Sequence, residues 1–327
     1  MTPTSIFKIS DREEFRRKTL EVFRYQAGAN PTYREFVRLL GIDPEKIHEP
    51  EAIPFLPISF FKTHRVVTGD GKEEMIFTSS GTTGSATSSH FVSDLDLYRK
   101  SFLNGFGHFY GDVRKYRILA LLPGYLERSG SSLVFMVREL ISLSGHAESG
   151  FFLHDHDRLL QVLEEFEQKQ QPTLLIGVSH ALLDLAEKHQ LRLTHTLVME
   201  TGGMKGRRRE MVREELHEIL MKRLGVTSIH SEYGMTELLS QAYSQGGGRF
   251  SCPPWMQVLT RELNDPFAFE PQGRTGGINI IDLANIHSCS FIATDDLGKV
   301  HPGGEFEILG RFDNSDIRGC NLLIDSE

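Results

Sequence analysis

The sequence is poor in cysteine and tryptophan and has no long apolar run. Three cysteines and one tryptophan occur among 327 residues. Cys252, Cys289 and Cys320 form no C-x-x-C pair, which argues against a disulfide scaffold or a cysteine-rich zinc module. No stretch of about 18 apolar residues is present, so no stable membrane insertion is expected. Met1–Arg17 is polar and soon charged, unlike a signal peptide, and a reducing cytoplasm is the expected location. Positive charge is also short. Thirty-six Lys plus Arg against 44 Asp plus Glu leave a net charge of −8, which excludes a general nucleic-acid binder reliant on clustered cations. What is present is ordinary globular material, 39% hydrophobic and 24% charged, so disorder is not expected. Twenty-two phenylalanines are consistent with a large apolar pocket or with core packing.

The pattern divides the chain into three parts. Residues 1–75 read as a helical and extended cap. Ser10 and Glu13 have capping-box spacing, Asn30-Pro31 starts a second helix, and the prolines of Ile53-Pro-Phe-Leu-Pro-Ile-Ser-Phe-Phe61 force an extended course. Residues 76–240 alternate short apolar strands with helices of ten or more residues, the signature of βαβ units and a parallel sheet. Strands are expected at 74–78, 117–122, 147–153, 173–178, 196–200 and 226–231. Residues 241–327, punctuated by Gly246-Gly-Gly248, Pro253-Pro254 and Pro271-Gln-Gly273, read as a smaller β-rich part with antiparallel strands. The expected fold class is α/β.

Four short motifs carry chemistry. Thr78-Ser-Ser-Gly-Thr-Thr-Gly84 follows an expected strand, and its glycines and hydroxyls suit phosphate oxygens, although no Gly-Lys-Ser/Thr makes it a Walker loop. Tyr233-Gly-Met-Thr-Glu237 follows the strand at 226–231; Tyr can stack on a base, Thr can meet a phosphate and Glu can hold Mg²⁺. Thr294-Asp-Asp-Leu-Gly298 places acids after an apolar strand, where one can bind ribose hydroxyls. Gly310-Arg-Phe-Asp313 comes last. Each alone is as readily a loop or turn.

Their order and spacing resemble the adenylate-forming enzymes, the acyl- and aryl-CoA ligases and their relatives, over roughly residues 53–320. Thr201-Gly-Gly203 is similar to that family's adenine-side glycines. Within the family the chain looks closest to the acyl-protein synthetases of the bacterial luminescence fatty-acid reductase system (LuxE-like), with phenylacetate–CoA ligases next. The resemblance implies the large N-terminal catalytic domain of that fold, parallel sheet layers plus a smaller β-rich part, with the C-terminal lid absent. It implies that Ser79, Ser80, Gly81, Thr82, Thr83 and Gly84 cradle ATP phosphates. Gly202 and Gly203 would lie on adenine with Tyr233, Thr236 would meet the α-phosphate, and Glu237 would hold Mg²⁺. Asp296 would bind ribose, with Asp295 the alternative, and Arg311 would support ribose or phosphate.

The implied reaction turns a carboxylic acid, preferentially fatty acyl and next aryl, into an acyl-adenylate. A thiol then takes the acyl group: Cys320 near the end, a partner reductase or carrier protein, or CoA. Two departures stand out, Thr87 where many members have Lys, and Thr294-Asp-Asp for Thr-Gly-Asp. Without the lid Lys, a non-catalytic nucleotide- or partner-binding module is the second class of reading. Gly177-Val-Ser-His-Ala181 resembles a nucleophile elbow and makes a serine hydrolase the third. Ser179 and His180 would otherwise border the acyl site, and His64 would approach the substrate carboxylate. His154-Asp-His-Asp157 reads as the capped start of a helix rather than a metal site.

Overall fold

The computed structural model describes residues 3–79, 87–123, 128–202 and 211–312. Ser80, Gly81, Thr82, Thr83, Gly84, Gly203 and Cys320 lie outside the described residues.

Helix α1 (Arg12–Ala29) starts one residue later than the Ser10/Glu13 pair implies. Asp11 is the cap, accepting from the Glu14 amide at 2.8 Å, while Glu14 reaches back to the Ser10 amide at 3.3 Å. A carboxylate cap also answers the positive end of the helix, which the Ser10 hydroxyl would do less well. Asn30 caps α2 (Pro31–Leu39) as expected. The proline-rich stretch is extended and contributes β1 (Leu56–Pro57), but a short helix α3 (Phe60–Thr63) follows it at once.

Strands β2 (Met75–Thr78) and β3 (Ser89–Val92) pair antiparallel on either side of residues 80–86. Helix α4 (Leu95–Tyr110) leads into the main sheet. Its strands are β4 (Arg117–Leu121), β5 (Gly150–Phe151), β6 (Thr173–Val178), β7 (Thr196–Thr201), β8 (His230–Tyr233) and β9 (Ala242–Ser244). Their spatial order is β5-β4-β6-β7-β8-β9, parallel except for β9. Helices α5 (Ser132–Ser144), α6 (His156–Gln168), α7 (Ser179–Lys188) and α8 (Arg213–Leu224) make the crossovers. Every residue of β6 is buried, which an apolar Thr-Leu-Leu-Ile-Gly-Val run requires when both sheet faces are covered. Asp155 caps α6 through the Arg158 amide, so His154–Asp157 is a helix start.

A second sheet holds β10 (Met256–Arg261), β11 (Thr275–Asp282), β12 (Phe291–Val300) and β13 (Phe306–Arg311), all antiparallel. The first half of β12 pairs with β1, and its second half pairs with β13 on the same edge. Two expectations are corrected here. The strand expected at 226–231 spans His230–Tyr233, so Tyr233 ends a strand rather than following one. Asp295 and Asp296 lie inside β12, not in a turn after it, because β13 supplies partners for residues 296–300. The aromatic content goes into packing: Phe23, Tyr33 and Phe55 all contact Phe291, with centroids 5.9, 6.1 and 6.1 Å away.

Candidate functional site

The carboxyl ends of β6, β7 and β8 carry Ser179, Thr201-Gly202 and Tyr233 side by side. Open parallel sheets bind ligands at this end, where chain and helix N-termini diverge. Gly202 has φ +67°, a left-handed conformation that disfavours any side chain.

Tyr233 joins the two sheets. Its hydroxyl donates to Asp296 Oδ2 at 2.7 Å, and Arg311 Nε meets Asp296 Oδ1 at 3.0 Å. Asp296 is buried while Asp295 is exposed, as alternation along β12 dictates. The Tyr233 ring packs on Phe250 and Phe306, and burial, with Asp296 beside it, raises its pKa well above the ordinary value. It therefore acts here as a neutral donor that aims Asp296.

The next residues form a pinned ribbon. His90 Nδ1 lies 2.8 Å from the Thr236 carbonyl oxygen, and Asn285 Nδ2 donates to the Glu237 carbonyl at 2.7 Å. Asp282 accepts from the Leu239 and Ser240 amides at 2.8 and 2.9 Å, from Ser240 Oγ at 2.6 Å and from the Ala284 amide at 3.1 Å. Thr236 is half-buried and Glu237 buried. Burial raises the Glu237 pKa, opposed by the Ser88 hydroxyl and by the charges of Arg311 and Lys62. At the neck of the 80–86 segment, Ser79 Oγ accepts from the Ser88 amide at 2.9 Å.

Two buried glutamates carry no motif and escape sequence reasoning. Glu200 on β7 receives the Ser179 hydroxyl at 2.9 Å and lies 3.3 Å from Arg213 Nε and 3.7 Å from His217 Nε2. Burial opposes its charge, but His217, Arg213 and Ser231 outweigh it and its pKa is lowered. Glu232 on β8, on the opposite sheet face, accepts from Thr201 Oγ1. Burial, with the Glu200 charge adding, pushes its pKa up to about 7 despite Thr201. The carboxylate folds back over Gly234, where a Cβ would stand 2.5 Å from Oε1. Because the folded state holds this proton more tightly than the ordinary 4.5, its stabilising contribution is full below that pH and lost as pH rises through about 7. Glu232→Gln is therefore expected to match the parent near pH 4.5 and exceed it by about 3 kcal/mol at pH 8. Urea melts at both pH values check this; equal differences at the two would refute it.

Ser179 and His180 follow β6 beside the Gly202 turn, while His64 ends α3. Ser179 is 3% exposed and shares its one hydroxyl proton between Glu200 and the Gly202 carbonyl, 2.5 Å away, while His301, the histidine that follows in hydrolase order, pairs with Glu307 at 2.9 Å. That bonding holds the 202 turn and leaves no nucleophile elbow. His180 is the next residue of α7 and half-buried. His64 is exposed, stacked on Phe60 at 4.9 Å and paired with Thr63. Burial pushes the thiols of Cys252 and Cys289 up to about 12, so neither is a ready nucleophile at neutral pH.

No protein-family model and no curated protein sequence matches the chain. Solved structures do. A 2-hydroxyisobutyryl-CoA ligase in the postadenylation state with 2-HIB-AMP is 13% identical, with TM-score 0.64 over 92% of this chain and 68% of that one. The open form of that ligase with 2-HIB-AMP and CoA is 14% identical, with TM-score 0.63 over 91% and 74%. ATP-bound MatB from Rhodopseudomonas palustris is 18% identical, with TM-score 0.56 over 74% of this chain and 49% of that one. The chain thus spans about half the length of the MatB structure. The likeness establishes the fold, a mixed α/β architecture with a parallel sheet that these ligase structures share. Among the described residues no helix is long and apolar enough to cross a membrane.

Proposed function

We propose that the chain activates a carboxylic acid with ATP, as an adenylate-forming acid–thiol ligase. The observation that carries this reading is the Tyr233–Asp296–Arg311 chain of hydrogen bonds, next to the pinned Thr236-Glu237 and the Gly202 turn, at the carboxyl ends of the strands. In this fold the arrangement provides an acceptor for ribose hydroxyls, a cation and a hydroxyl for phosphate, and a buried carboxylate for a metal.

The donor set suits magnesium carried in by phosphates. One buried carboxylate is available, and among the described residues no cluster of three or more His, Cys, Asp or Glu forms a cage. Bound on Glu237, magnesium would offset the negative charge that repels an attacking carboxylate. Thr236 would orient the α-phosphate, Asp296 would fix the ribose and Arg311 would add positive charge. A carboxylate oxygen of the acid bonds to the α-phosphorus, the bond to pyrophosphate breaks, and an acyl-adenylate remains. A thiolate then attacks the acyl carbon and AMP leaves. Ser79, Ser80, Gly81, Thr82, Thr83 and Gly84 would hold the β/γ phosphates, and Gly202 and Gly203 would lie by the adenine.

A fatty acid is the proposed substrate and the acyl-protein synthetases the proposed group, supported by the Ile53–Lys62 segment and the Ser79–Gly84 loop. Acceptor thiols are Cys320 or a partner reductase or carrier protein. CoA is the second reading, favoured by the ligase neighbour that holds both 2-HIB-AMP and CoA. An ATP–pyrophosphate exchange screen over fatty and aromatic acids tests the proposal. Exchange with one acid class supports it; no exchange with any leaves a nucleotide- or partner-binding module.

A further inference from the structure

The proposed adenylation uses the side chains of Thr236 and Glu237, two adjacent residues whose backbone must hold both in place. His90 sits on β3, four residues beyond the segment 80–86, and is 1% exposed. Its ring packs edge-on against Phe61, with centroids 5.8 Å apart at 87°. A carbonyl oxygen only accepts, so the 2.8 Å contact with Thr236 requires the proton on Nδ1. Asn285, which ends the 3₁₀ turn after β11 and also neighbours His90, donates to the next carbonyl, that of Glu237, at 2.7 Å, and to the Cys289 carbonyl at 2.9 Å. Two consecutive carbonyls are therefore held by two different parts of the chain, strand β3 and the turn after β11. Such a peptide cannot swing without losing a buried hydrogen bond, and both flanking side chains share that constraint.

We propose that His90 is a positioning residue for adenylation: its Nδ1–H locks the Thr236 carbonyl and so ties the Thr236-Glu237 ribbon to the strand leaving the 78–84 loop. This rests on the proposed function. Ser88, the residue just before this strand, also contacts the Glu237 side chain. His90 would touch neither substrate nor metal, and acts by holding two groups that do. Misplacing such groups by about 1 Å can cost about a hundredfold in rate.

The test uses three variants of the full chain, read by acid-dependent ATP–pyrophosphate exchange. Asparagine places its amide nitrogen about where Nδ1 stands, while glutamine places it about where Nε2 stands. His90→Asn is expected to keep kcat within about fivefold, whereas His90→Gln and His90→Ala lose about a hundredfold in kcat with KM for ATP and acid little changed. Parent-like kcat in His90→Ala, equal losses in Asn and Gln, or a loss confined to KM would each overturn the positioning role. If His90→Ala fails to fold, the Asn–Gln comparison decides. A parent chain that exchanges with no acid overturns the proposed function itself, a result distinct from equal variants of an active parent.

Discussion

Alanine in place of Glu237 is expected to abolish acid-dependent ATP–pyrophosphate exchange, with a loss of about a thousandfold or more. The carboxylate is 5% exposed and has a raised pKa, so burial already penalises its charge. A bound divalent cation would offset that penalty. Lys62 and Arg311 act on it from a distance, but neither neutralises it as a bound divalent ion would. Glu237→Gln separates charge from shape. It retains the volume and a hydrogen-bonding oxygen, and should be nearly as inactive as alanine while melting like the parent. Exchange rates measured across a magnesium titration check both points. A glutamine variant within about tenfold of the parent would remove Glu237 from the metal role.

Asp282→Ala should cost about 4 kcal/mol of stability, the range for stripping a buried charged group from its partners. Asp282 is fully buried, and both of its oxygens are used. Oδ2 takes the Leu239 and Ser240 amides, and Oδ1 takes Ser240 Oγ and the Ala284 amide. Removing the carboxylate leaves these donors facing an apolar interior. Asp282→Asn keeps one acceptor but turns an NH₂ group toward the donors on the other side, and should cost about half as much. Ser240 also accepts from Trp255 Nε1 at 2.9 Å, so tryptophan fluorescence reports the same site during denaturant unfolding. Equal midpoints for parent and alanine variant would show that water replaces the carboxylate without loss.

Much of the fold is legible in local pattern. The strand at Thr173–Val178 is as expected to the residue, because a short apolar run bounded by Pro172 and Ser179 leaves little choice. Asn30 and an acid of His154–Asp157, Asp155, cap helices as expected, and the cap of α1 is off by one residue, since a cap depends on three or four neighbouring residues. Strand ends are less legible. β12 continues through two aspartates because β13 pairs with Asp296 and the Phe312 amide reaches Asp295, and β8 begins four residues late because only residues 230–232 find partners on β7. The short strand β9 shows no alternation because all three of its residues are buried.

The motifs name Tyr233, Thr236, Glu237, Asp296 and Arg311, and the sequence by itself determines that these residue types occur in this order. It also determines an α/β chain, since the periods of strands and helices are local. Only the tertiary structure decides what meets what. It puts Tyr233 on Asp296 across 63 residues, His90 on Thr236 across 146, and Glu200 of β7 beside an arginine and a histidine of α8. Such contacts depend on strand order and register, which no window of neighbouring residues encodes. The buried charges illustrate the same point. Glu200 and Glu232 are equivalent letters in the sequence, yet one is held below and the other above the usual carboxylate range. Alternation along two adjacent strands turns one toward cations and the other into the protein interior.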